Sequence, residues 1–167
     1  MRTVRILVAG VGDVFHGDDG FGTEVVRRLR EQGGLPDGVQ LAEPGSRGVH
    51  LAYQLLPGYD VLILVDAIRQ GGPPGSLYTL EHDLDTRPQT TPDLDGNGRD
   101  PAAVLDLLAG LAGSMGVARP VGRVLVIGCE PEELVDRIGL SPPVAAAVPH
   151  AARAVLELAA DLARPAG

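Results

Sequence analysis

The chain has 167 residues, a net charge of −8 and a single cysteine, and its 14 basic residues are all arginine. A chain of this length buries about two-thirds of its unfolded surface, so one domain over residues 1–167 is expected, without disulfide staples. The lone Cys129 excludes an internal disulfide framework and suits the cytoplasm. The absence of any basic cluster denser than Arg27, Arg28 and Arg30 argues against nucleic acid, and no apolar run reaches the length of a membrane span.

Val4 to Ala9 is a short, β-branched apolar run closed by glycine, the pattern of a strand buried on both faces. Gly10 to Gly22, "GVGDVFHGDDGFG", then packs five glycines and three aspartates into one loop. From Phe21 to Gln32 the apolar positions 21, 25, 26 and 29 form a helical stripe that stops at Gly33-Gly34. Val39 to Ala42 reads as a short strand. After the turn-forming "EPGSRG" comes a helical pattern through His50, Leu51, Gln54 and Leu55, stopped by Pro57-Gly58.

The clearest strand is "YDVLILVDA": Val61 to Val65 is continuously apolar and belongs at the centre of a sheet, with Asp66 emerging at its carboxyl end. Gly75 to Glu81 alternates apolar and polar residues, as an edge strand with one wet face does. Residues 82–100 form an acidic loop rich in proline, threonine and glycine. Pro101 to Leu111 is helical, with proline at an allowed first-turn position. Val124 to Cys129 is another buried strand, and Val144 to Leu162 the last helix. Strands alternating with helices give an α/β, three-layer αβα domain with a mainly parallel sheet.

In such sheets ligands sit beyond the carboxyl ends of the strands, where the chain order reverses. Asp13, Asp18 and Asp19 follow the first strand and Asp66 ends the central one. If the two strands are neighbours about 4.8 Å apart, the acids converge, and converging carboxylates repel unless a cation or proton lies between them. That favours a cation over a phosphate. The dinucleotide fingerprint lacks its third glycine, because Asp13, Val14 and Phe15 follow Gly12, and a Walker loop needs a lysine. Asp18 suits a helix cap; Asp19, beside Gly20, suits a ligand. Asp66 has its own alternative, a carboxylate satisfied by backbone donors of the next loop.

The loop before the Pro101 helix contains Asp93-x-Asp95-x-Asn97-Gly98, half of a calcium loop, but Val104 stands where the bidentate glutamate belongs. A solvated acidic turn fits it better. No G-x-S-x-G elbow is present. Cys129 ends a buried strand, and the serines at 46, 76, 114 and 141 have no evident base.

Five stretches in register, "GVGDVFHGDDGFG", "EPGSRGVHLAYQLLPGYDVLILVDAI", "PGSLYTLE", "DPAAVLDLL" and "VIGCEPEELVDRIGLSPPVAAAV", resemble the hydrogenase maturation endopeptidases over nearly the whole chain. That family removes a C-terminal peptide from the nickel-iron hydrogenase large-subunit precursor after nickel insertion. The resemblance implies a mixed, mainly parallel five-stranded sheet with the "YTLE" strand antiparallel at the edge. It also implies a site for nickel, carried by the substrate, or for another divalent ion.

In the family that site uses the second acid of the "DD" pair, the aspartate of "LVDA" and a histidine before the "VL" helix. Here the first two are Asp19 and Asp66, which also carry the implied catalytic role. At the third stands Asn97, which offers oxygen where a borderline metal prefers imidazole. His16, His82 at the start of the long loop, or Asp13 are the substitutes available. Glu43, Gly45 and Arg47 are expected to line the same cleft. The missing histidine motivates a rival reading, a non-catalytic paralogue that binds the large subunit as a chaperone.

Overall fold

The computed structural model describes residues 3–12, 15–42, 48–82, 121–132, 135 and 137–163. Its strands are β1 (Ile6–Gly10), β2 (Val39–Leu41), β3 (Tyr59–Ala67), β4 (Leu77–His82) and β5 (Val121–Cys129). Its helices are α1 (Phe21–Gln32), α2 (Gly48–Leu55) and α3 (Pro142–Ala163), and a 3₁₀ turn (Gly17–Gly20) precedes α1. The expected helix over Pro101–Leu111 lies outside the described residues, as do Asp13, Glu43, Gly45, Arg47 and Asn97.

The strands form one sheet in the order β2-β1-β3-β5-β4. β1 is parallel to β2 and β3, β3 is parallel to β5, and β4 pairs antiparallel with β5 at the edge. This is the mixed sheet expected from the sequence. The order places β1 beside β3, with Ala9 opposite Leu64 and Gly10 opposite Val65. The chain moves outward from β1 to β2 and then back past β1 to β3, so the reversal falls between β1 and β3.

Alternation along the strands divides the core into two layers. Ile6, Val8, Val61, Ile63, Val65, Leu125 and Ile127 pack with Phe21, Val25 and Leu29 of α1 and Val144, Ala151 and Val155 of α3. Leu7, Ala9, Leu62, Leu64, Val124 and Val126 face Leu51 and Leu55 of α2. Each fully buried side chain of this kind contributes roughly 2 kcal/mol. The central strands are therefore apolar without interruption over residues 6–9, 61–65 and 124–127, whereas a one-faced strand would alternate. Among the described residues no helix is long and apolar enough to cross a membrane.

Element ends move by a few residues from the expected ones. β3 begins at Tyr59 and runs through Asp66, which lies opposite Gly128 of β5 and is therefore inside the strand. α3 starts at Pro142, whose missing N–H has no partner to lose in a first turn. Its start places Ser141 just outside the helix, with the Ser141 carbonyl accepting from Ala145 N at 2.8 Å.

Candidate functional site

The loop after β1 folds back onto the ends of two strands. Val11 N donates to Val65 O at 2.9 Å and so continues the β1–β3 ladder. Gly12 then turns at φ +122°, where L side chains are strained; a Cβ there would strike the Asp19 carbonyl oxygen and lie 3.2 Å from Asp19 Oδ1. Gly22, in the first turn of α1, presses against β3, where a Cβ would strike Val65 O and come within 2.8 Å of Val11 N. These glycines bring backbone onto backbone, which is why the loop is rich in glycine without being a phosphate cradle.

The 3₁₀ turn carries the aspartate pair. Asp19 is 5% exposed, and its N–H donates to His16 O at 3.3 Å. Asp66, 2% exposed, continues the parity of Leu62 and Leu64, and its Oδ1 accepts from Ala67 N at 2.8 Å. The two carboxylates are thus buried at the carboxyl ends of adjacent parallel strands. Among the described residues no group of three or more His, Cys, Asp or Glu side chains is arranged to hold a metal ion.

His16 enters the turn and is bridged through its backbone to Arg137. Gly17 N donates to Arg137 O at 2.8 Å and Arg137 N to Phe15 O at 3.2 Å, so the loop is zipped to the segment after β5. His82, considered above as a substitute ligand, is misplaced for that task. It is the last residue of β4 and pairs with Val124, whereas Leu77 pairs with Cys129 beside the site. Five steps at about 3.4 Å carry it roughly 17 Å toward the opposite end of the sheet.

Asp18 does not cap its own helix. The N-cap of α1 is Gly20, without a side-chain cap bond. Asp18, 1% exposed, instead accepts Glu132 N at 2.8 Å, Ser141 N at 2.7 Å and Ser141 Oγ at 2.8 Å. It holds the residue just before α3, because its carboxylate points from the 3₁₀ turn into the β5–α3 connection. Ser141 therefore has an acid partner that the sequence did not suggest, but a buried one that accepts a hydrogen bond from its hydroxyl and ties it into the structure.

Glu130 is a further buried acid, one that sequence reasoning missed. Its Oε1 accepts Gln70 N at 2.8 Å, Gly72 N at 2.9 Å and Tyr78 Oη at 2.9 Å, fastening the loop that leaves β3 just after Asp66. The Gln70 amide, helped by Tyr78 and Gly72 against the opposing effect of burial, holds its carboxyl below the usual range. Tyr78 is raised by burial and by Glu130. A signal was available, since Glu130 follows an apolar strand just as Asp66 ends one. Cys129 is fully buried, and burial, reinforced by Asp18 and Glu130, pushes its thiol up to about 12, which suits packing and excludes a ready thiolate.

Comparison with known proteins gives one consistent result. Residues 23–88 match the family model HycI, hydrogenase maturation protease. The chain is 35% identical to the hydrogenase expression/formation protein HoxM of Azotobacter vinelandii, over 96% of this chain and 75% of that one. It is 32% identical to the hydrogenase 2 maturation protease of Escherichia coli, over 92% of this chain and 89% of the other. Among solved structures, the hydrogenase maturating endopeptidase HybD from E. coli superposes with a TM-score of 0.74 at 27% identity, covering 95% of this chain and 93% of that chain.

Proposed function

Because the chain belongs to the hydrogenase maturation protease family, we propose that it is an endopeptidase that removes the C-terminal extension of a nickel-iron hydrogenase large-subunit precursor after nickel insertion. Asp19 and Asp66 are the groups that engage the metal. The observation supporting this is the burial of both carboxylates at the ends of neighbouring parallel strands.

The nickel arrives as part of the substrate. Two carboxylates that ligate it fix the precursor's tail relative to the protein, and burial strengthens that attraction by excluding water. A metal so held polarises the scissile carbonyl or a water molecule. Asp18 and Glu130 keep the two acid-bearing segments in place through their backbone contacts. Neither Cys129 nor Ser141 suits nucleophilic attack, since the first is fully buried with a raised thiol pKa and the second donates its hydroxyl to Asp18.

Recognition through substrate-borne nickel makes cleavage conditional on metal insertion, a checkpoint rather than general proteolysis. The test is incubation with nickel-loaded and nickel-free precursor, followed by mass spectrometry of the released tail. Release from the loaded form alone is expected; equal release from both would sink the metal-bridge reading. Asn97 favours a second reading, a chaperone-like paralogue, for which the loaded precursor forms a complex and no tail is released.

A further inference from the structure

Two carboxylates gathered at one site push their carriers apart until a cation comes between them. Asp19 and Asp66 therefore need backbone supports that resist splaying before any substrate binds. From the β1 side the support is direct, because Val11 N donates to Val65 O and Asp19 lies against Gly12. From the β5 side it comes from three consecutive residues, Glu130, Pro131 and Glu132.

The β3–β5 ladder ends with Ala67 opposite Cys129, and Glu130 takes over where it stops. Its carboxylate accepts Gln70 N at 2.8 Å and Gly72 N at 2.9 Å, in the segment that follows Asp66. Its backbone closes the far side of the same loop, with Glu130 N donating to Ser76 O and Gly75 N to Glu130 O, both at 2.8 Å. Two residues on, Glu132 N donates to Asp18 Oδ2 at 2.8 Å and so reaches the turn that carries Asp19. Between them lies Pro131, buried, whose ring locks φ and leaves no N–H to satisfy. Three residues thus tie the Asp66 segment to the Asp19 turn, and the middle one has the least backbone freedom.

We propose that Glu130 and Pro131 are positioning residues for tail release, forming a strap that fixes the spacing of Asp19 and Asp66 to what one metal ion needs. The inference rests on the endopeptidase reading above and adds what sets the geometry of its two acids. Both residues act through the acids whose segments they hold. Rate feels such placement more steeply than affinity does, since a displacement of about 1 Å costs on the order of 100-fold.

The experiment compares the whole chain with its Glu130→Ala, Glu130→Gln, Pro131→Gly and Val155→Ala variants, at a temperature where circular dichroism shows each to be folded. Single-turnover tail release from saturating nickel-loaded precursor is followed by mass spectrometry, Kd by interferometry and stability by urea titration. Glu130→Ala and Pro131→Gly are expected to slow release by about tenfold or more, with Kd changed by less than about threefold. Glu130→Gln keeps an oxygen for the Gln70 and Gly72 amides and is expected to release the tail at nearly the wild-type rate. Pro131→Gly leaves every carboxylate in place, so its effect reports geometry and not charge. Val155→Ala opens a cavity in the core about 20 Å along α3 from its start, and is expected to lower the urea midpoint without slowing release.

Wild-type rates in both Glu130→Ala and Pro131→Gly overturn the positioning role and leave the endopeptidase reading standing. A Glu130→Gln rate as low as that of Glu130→Ala assigns the effect to charge and also overturns it. So does a Val155→Ala rate that falls in step with its midpoint, because slow release then reports only lost stability. A wild type that releases no tail from the loaded precursor overturns the endopeptidase reading and this inference with it.

Discussion

Asp18 and Ser141 lie 123 positions apart in the chain and meet through two hydrogen bonds, from Ser141 N at 2.7 Å and from Ser141 Oγ at 2.8 Å. With Glu132 N as a third donor, this contact joins the aspartate turn to the start of α3. Asp18→Ala leaves buried donors without an acceptor and is expected to cost about 3 kcal/mol, against about 1 kcal/mol for Ser141→Ala. Urea titration measures both, and the double variant should lose less than the sum because the partners share the same bonds. An Asp18→Ala protein as stable as the wild type would show that the contact contributes nothing.

Asp19→Asn and Asp66→Asn keep the size of each side chain, and at position 66 an oxygen remains to accept Ala67 N. Each is expected to retain the fold while losing tail release from nickel-loaded precursor by at least about 100-fold, in line with losing a metal ligand. Circular dichroism and single-turnover release are the measurements. Wild-type release by either variant would remove that residue from the site.

Asn97→His places an imidazole at the position where the resemblance to the family leads one to expect it. If the carboxylates share the metal with this position, the substitution raises the rate of tail release or creates it where the wild type only binds. An unchanged rate would mean that the site completes itself with other ligands, and His16→Ala then becomes the informative variant.

Glu130 makes stability depend on pH. Its amide and phenol donors hold the folded carboxyl below the ordinary value of 4.5, so the unfolded chain binds the proton more readily. Stability from this group is fully present above that ordinary value and is lost as pH falls through the lower folded pKa. Glu130→Gln should flatten the acid limb of a plot of unfolding free energy against pH and leave its neutral slope unchanged. Denaturant titrations between about pH 3 and 7 test it; an identical acid limb would count against the carboxylate.

Gly12→Ala adds a methyl group where φ is +122° and the Asp19 carbonyl oxygen already occupies the space. A loss of at least about 2 kcal/mol is expected, with tail release falling further than stability because the displaced residue is Asp19. Thermal unfolding alongside single-turnover release separates the effects.

The elements written in local pattern were legible before the structure. β3 announced itself by uninterrupted apolar residues, β4 by alternation, and α1 by its stripe and its glycine stop. Asp19 and Asp66 were legible as acids at strand ends because parallel sheets gather loops at that end. The role of Asp18 was not, since its donors come from positions 132 and 141 and local sequence encodes no such pairing. His82 was misread for a related reason: whether a residue at the end of an antiparallel strand faces the site depends on register, which a strand's own composition leaves open.

The long reach from Asp18 to Ser141 also sets an order of events during synthesis. β1 and the aspartate turn leave the ribosome first, but their partner strands β3 and β5 and the clamp at Ser141 follow many residues later. Such non-local pairing makes folding slow and concerted. A nascent chain halted before residue 141 therefore carries both Asp19 and Asp66 without the Ser141 donors that hold the neighbouring Asp18.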